Sequence, residues 1–143
     1  MNVSLREGCR HGGTYVGEME HRLPHAPTAL AKARRLADDL VRDRLPPAHA
    51  SEFRLIVLEM VSNAVRYGLP QDDGQIGLRL EVEGQVLRAV VLDATPLFTY
   101  EPQTEPLALD EAADDLHVGM FVVDRLSDRW GLSSVGRRRS GWR

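Results

Sequence analysis

The 143-residue chain predicts an α+β sandwich, an antiparallel or mixed sheet covered on one face by helices. Two observations carry that reading. Residues 75–84 alternate apolar and polar residues, and Glu83-Gly84 offers a tight turn into residues 85–94, a second strand and the expected antiparallel partner. Helical periodicity appears in three other stretches that are not interleaved one per strand, which argues against a doubly wound parallel fold.

The elements follow in order. The opening MNVSLREGCRHGG lacks the apolar core of a signal peptide, and residues 1–13 are expected to be a flexible segment before a single domain at 14–143. TYVGEMEHRLP alternates as a strand, and Pro24 and Pro27 end it. TALAKARRLADDLVRDRL carries Leu30, Ala33, Leu36 (or Ala37), Leu40 and Val41 at helical spacing and stops before Pro46-Pro47. A second helix is expected from about His49 to Tyr67, with Gly68 and Pro70 as its stop. Ile76, Leu78, Leu80 and Val82 define the first hairpin strand, and QVLRAVVLDA the second. The long stretch from Thr95 to Asp115 holds three prolines. Its part from Glu101 to Asp115 has six acidic residues and no basic one, and a loop of that length is functional or disordered. HVGMFVVDRLSDRW predicts a third helix, RWGLSSV a short strand, and SGWR the start of a last one.

The totals exclude several classes. With 43% hydrophobic and 27% charged residues the composition is that of an ordinary globular domain. A net charge of -3 gives no global signature of nucleic-acid or membrane binding, and the Arg137–Arg139 run reads as a solvated turn. The single cysteine, Cys9, precludes an internal disulfide and fits a reducing, cytoplasmic setting. No apolar run reaches the ~18 residues of a membrane span. His21 and His25 are four apart, but Pro24 intervenes, and with Cys9 and His11 they form no zinc pattern. Trp130 and Trp142 read as core or sheet-packing residues, and Asp124 and Asp128 as the solvent side of the third helix.

The second helix carries the chemical signal, in the stretch LEMVSNAVRYG (residues 58–68). On a helical wheel Glu52, Glu59, Ser62, Asn63 and Arg66 share an arc of roughly 100°. One reading is a solvent face. The other is a functional wall, because the stripe is narrow, lacks lysine and includes Asn and Ser, which are mediocre interior helix formers. The pattern alone supports both. Glu59 and Asn63, at i and i+4, project side by side. A carboxylate can take a proton or orient a water, and an amide oxygen is a hard ligand suited to Mg²⁺.

LEMVSNAVRYG resembles the N-box of the GHKL (Bergerat-fold) ATPases, in particular their anti-sigma-factor serine/threonine kinase branch. VVLDATP (residues 90–96) resembles that branch's aspartate box, and HVGMFVVDRLSDRWG (117–131) its lid box and following helix. RRSGW (138–142) resembles its terminal box, and APTALAKARRLADDLV (26–41) its first helix. The likeness runs over about residues 20–143. It implies a two-layer α/β sandwich with a mixed, mostly antiparallel sheet. It also implies ATP with Mg²⁺, Glu59 as general base or water-orienting carboxylate, and Asn63 as Mg²⁺ ligand. Asp93 is implied as acceptor of the adenine amino group, supported by Ser140. Gly119 is implied to bring backbone N–H groups to the phosphates at a helix N-terminus, with Met120 beside it and Arg66 near phosphate. The implied activity is phosphorylation of a STAS-type anti-sigma-factor antagonist, with sequestration of a sigma factor and dimerisation.

The chain departs from the family pattern at the lid. His117 stands where the first lid glycine is expected and Val118 where an arginine is expected. Tyr67 replaces the N-box histidine, Arg138-Arg139 replaces Gly-Lys, and the acidic run precedes the lid glycine. These departures define an alternative expectation: a catalytically weak or inactive pseudo-kinase kept as a protein-binding module.

Overall fold

A computed structural model of the chain describes residues 2–6, 16–83, 86–96 and 115–132. Their elements are β1 (Asn2–Arg6), β2 (Val16–Pro24), α1 (Ala29–Val41), α2 (Pro47–Tyr67), β3 (Gln75–Glu83), β4 (Val86–Leu92), α3 (Asp115–Leu126) and β5 (Arg129–Gly131). The strands form one sheet in the order β2-β3-β4-β1-β5. Every pairing among the described residues is antiparallel, in keeping with the mostly antiparallel sheet expected.

The period-two pattern decides which face is covered. Ile76, Leu78, Leu80 and Val82 of β3 and Leu87, Ala89 and Val91 of β4 are buried on the helix side. They join Ala29, Ala33, Ala37, Leu40 and Val41 of α1 and Phe53, Ile56, Val57, Met60, Val61 and Ala64 of α2 in one core. The alanines of α1 recur every four residues, so this helix presents a low ridge to its neighbours. The opposite sheet face carries cross-strand ion pairs. Arg79 meets Glu20 at 3.0 Å and Arg88 meets Glu81 at 2.9 Å, each between directly opposed residues. Such pairs contribute roughly 0.2–1 kcal/mol each and chiefly reinforce register.

Three boundaries differ from expectation. Asn2–Arg6, expected within a flexible segment, form β1, which pairs with β4 on one side and β5 on the other. Asn-Val-Ser-Leu-Arg does alternate, and its register sets Val3 opposite Ala89 and Leu5 opposite Leu87. Helix α1 ends at Val41 rather than Leu45, because Asp43 turns the chain with φ 64. Aspartate is among the few residues that tolerate that region. Helix α2 starts earlier than expected, at Pro47, where the fixed proline φ suits the first helical position and no N–H is lost.

The end of α2 also has a different cause from the expected one. Gly68 is extended (φ -83, ψ 167), not left-handed, so no conformational need selects glycine there. Space does. A Cβ at Gly68 would lie 2.5 Å from the Ala64 carbonyl oxygen and 2.6 Å from Asp93 Oδ2. The carbonyl belongs to the helix and cannot step aside. Gly68→Ala is therefore expected to destabilise the fold by about 1–3 kcal/mol, read from the urea midpoint. Gly131→Ala, where a Cβ meets nothing within 4 Å, is the matched control and should shift it little. No described helix is long and apolar enough to cross a membrane.

Candidate functional site

Helix α2 holds the polar stripe, and the fold divides it. Glu52 is half-buried beside His49, 3.4 Å away, and Arg66 is exposed in the last turn. Asn63 behaves otherwise. It is the one buried polar residue among those described, at 8% exposure. A solvent face does not bury an amide, so the solvation reading fails at this position. Its Nδ2 is buried and has no hydrogen-bond partner. An orphaned buried donor costs about 1–3 kcal/mol, and such a group calls for a specific explanation.

The cover over Asn63 is α3. A Cβ at Gly119 would sit 2.7 Å from Glu59 Oε2 and 3.2 Å from Asn63 Oδ1. Glu59 and Asn63 thus lie side by side against the backbone of α3, as their i,i+4 spacing requires. Burial raises the Glu59 carboxyl above its ordinary range, and the positive charge of Arg66 opposes part of that rise.

Gly119 lies against the Glu59–Asn63 pair. It is the fifth residue of α3, which starts at Asp115, so it lies beyond the first turn. Its N–H is then used within the helix, and the unsatisfied amides belong to the turn before it. What Gly119 supplies is close approach. Met120 is fully buried, so its contribution to any binding runs through the placement of α3. His117 and Val118 fall in the first turn of α3, with side chains outside the described residues. Ser140, the Arg137–Arg139 run, Cys9, His11, Trp142 and most of the acidic stretch also lie outside them.

Asp93 forms the second pole of the site. It follows β4, and its Oδ1 accepts the Thr95 N–H at 3.0 Å while Oδ2 lies over Gly68. The chain leaving α2 is stitched to this segment. Leu69 N–H donates to Thr95 Oγ1 at 3.0 Å, and Ala94 N–H donates to the Leu69 carbonyl at 2.9 Å. From Glu59 to Gly68 is nine residues, about 14 Å of helix axis. The carboxylate and the buried amide thus lie in the middle of α2, and the Asp93 carboxylate lies at its C-terminal end.

Two further residues escaped the sequence reading. His25, considered only as a metal ligand, has Nε2 3.0 Å from the Ala64 carbonyl and 3.1 Å from the Gly68 carbonyl. Asp124, expected to face solvent, accepts the Trp130 indole N–H at 2.7 Å and ties α3 to β5. Trp130 itself packs against the core, as expected. Local spacing marks neither residue, because the partners of His25 are distant in sequence and that of Asp124 lies beyond the helix end.

The family model for the histidine kinase-like ATPase domain matches residues 23–140, and the chain belongs to that family, within the GHKL superfamily. No curated protein matches the chain. The matched span contains the whole of α2, Asp93 and Gly119, so both poles lie inside the ATPase domain.

The residues present fit a nucleotide with Mg²⁺. Asn63 offers a hard oxygen and an unsatisfied donor beside a carboxylate. Among the described residues no three His, Cys, Asp or Glu side chains converge on a metal position. An ion at this wall would complete its shell with phosphate and water oxygens, as Mg²⁺ commonly does.

Proposed function

We propose that this protein is an ATP-binding regulatory kinase that phosphorylates a serine or threonine of a STAS-type antagonist protein and sequesters a sigma factor. The buried, unpartnered Asn63 amide packed with Glu59 against Gly119 carries the reading. The match to the histidine kinase-like ATPase domain supports its nucleotide part, and the resemblance of the N-box and aspartate box supports its regulatory part. In this reading Asp93 Oδ2 accepts the adenine amino group, and Arg66 lies on the phosphate side. Asn63, with Glu59 beside it, would hold the Mg²⁺, which would supply charge neutralisation for the phosphates. The partner hydroxyl oxygen forms the new bond to the γ-phosphorus, the bond to the β-phosphate oxygen breaks, and ADP leaves. Glu59 takes the hydroxyl proton, a role that its raised pKa favours.

A second reading keeps the fold as a protein-binding module with little turnover. One observation favours it: α3 begins at Asp115, so the free amides of its first turn follow a carboxylate and not a glycine pair. Gly119→Ala separates the two. Alanine gains about 1 kcal/mol of helix propensity over glycine, so the fold should survive. The added Cβ nonetheless displaces the Glu59 carboxylate. Displacement of a reacting group by about 1 Å costs on the order of 100-fold in rate. Phosphotransfer by Gly119→Ala should fall by that factor if Glu59 is catalytic, and stay at its wild-type trace level in a pseudo-kinase.

The nucleotide reading is tested by calorimetry with ATP·Mg²⁺ on the wild type, Asn63→Ala and Asp93→Ala. Binding by the wild type at millimolar ATP or below, weakened about tenfold or more by each substitution, is the expected result. Absence of wild-type binding defeats the reading, and binding indifferent to both substitutions defeats the site assignment.

A further inference from the structure

We infer that His25 and Thr95 form a clasp that positions Asp93 and so sets the selectivity of the site for adenine over bases without its amino group. The inference rests on the nucleotide reading above and adds two residues to it. His25 lies between β2 and α1, half-buried, with Nε2 within 3.0 Å of the Ala64 carbonyl and 3.1 Å of the Gly68 carbonyl. Both partners are acceptors, so Nε2 carries the hydrogen and is shared between them. At the end of α2 His25 adds a second donor to the Ala64 carbonyl and reaches the carbonyl of the cap residue Gly68. The Ala64 carbonyl also accepts the Gly68 N–H at 3.1 Å, so His25 closes a turn that the backbone has begun.

The consequence travels one residue at a time. Gly68 is held at the point where Asp93 Oδ2 packs against it. Leu69 next donates to Thr95 Oγ1 and accepts from the Ala94 N–H. Thr95 N–H in turn holds Asp93 Oδ1. A carboxylate that recognises one amino group must keep its free oxygen in one orientation, and this chain of bonds fixes the other oxygen and the backbone beneath. His25 and Thr95 are positioning residues, since neither is assigned a contact with nucleotide.

The test compares affinities for ATP and inosine triphosphate, which lacks the amino group, in the wild type, His25→Ala, His25→Gln and Thr95→Val. The wild type should prefer ATP. His25→Ala should lose about tenfold of that preference, the worth of one well-placed hydrogen bond. His25→Gln, whose amide restores a donor, should retain more of it. Thr95→Val breaks the same chain from the other side and should show a similar loss, which keeps the test decisive if His25→Ala does not fold. An unchanged ATP-to-inosine-triphosphate ratio in His25→Ala or Thr95→Val, or an equal loss of both affinities, overturns the inference. A wild type that binds ATP without preference, or not at all, defeats the Asp93 reading itself and the clasp with it.

Discussion

Glu59→Gln is expected to lower phosphotransfer by about 10²–10⁴-fold, the usual worth of a positioned general base. ATP·Mg²⁺ affinity should change only a few-fold, because glutamine keeps the shape and an oxygen beside Asn63. A single-turnover assay with the antagonist partner separates the two quantities. The same substitution should act oppositely on stability. In the folded chain burial holds the Glu59 carboxyl above the ordinary value of 4.5. The native state therefore binds the extra proton between the two values, and stability from this group is full below pH 4.5 and falls as pH rises through the folded value. Glutamine carries no charge to desolvate. Glu59→Gln should thus be the more stable protein near neutral pH, and the difference should close in acid, as urea midpoints at several pH values would record. A fold stabilised by loss of its reactive group is what a site under functional constraint shows. A neutral-pH loss of stability would contradict that account of Glu59.

Phe53→Ala is expected to cost about 3–5 kcal/mol. Phe53 is fully buried on α2, within the core shared by α1 and the sheet. A domain of this size has only about 5–15 kcal/mol in hand. The variant should therefore unfold at much lower urea and bind nucleotide weakly in proportion to its unfolded fraction. Ligand-linked stabilisation should recover part of the loss at saturating ATP·Mg²⁺. A change under about 1 kcal/mol would mean that α2 is not anchored where the buried residues place it.

Much of this was legible because it is local. The alternation of Ile76, Leu78, Leu80 and Val82 is the same in the sequence and in the buried face of the sheet. The Glu59–Asn63 pair was legible for the same reason, since i,i+4 spacing fixes neighbours on a helix. Which polar residues face solvent was not. That depends on α3, more than fifty residues away in sequence, whose Gly119 packs against Glu59 and Asn63. Gly68 was read as a helix stop, whereas its missing side chain makes room for Asp93. His25 reads in sequence only as a metal-ligand candidate beside His21, Cys9 and His11, although its partners are Ala64 and Gly68. The N-terminal alternation of Asn2–Arg6 is five residues long, too short to specify a central strand without β4 and β5 on either side.

The most direct measurement is a crystal structure with a non-hydrolysable ATP analogue and Mg²⁺. The account predicts the adenine amino group on Asp93, the Mg²⁺ on Asn63 Oδ1 and the γ-phosphate within reach of Glu59. Under saturating analogue, a site with no nucleotide, or a nucleotide bound away from Asp93 and Asn63, would contradict it.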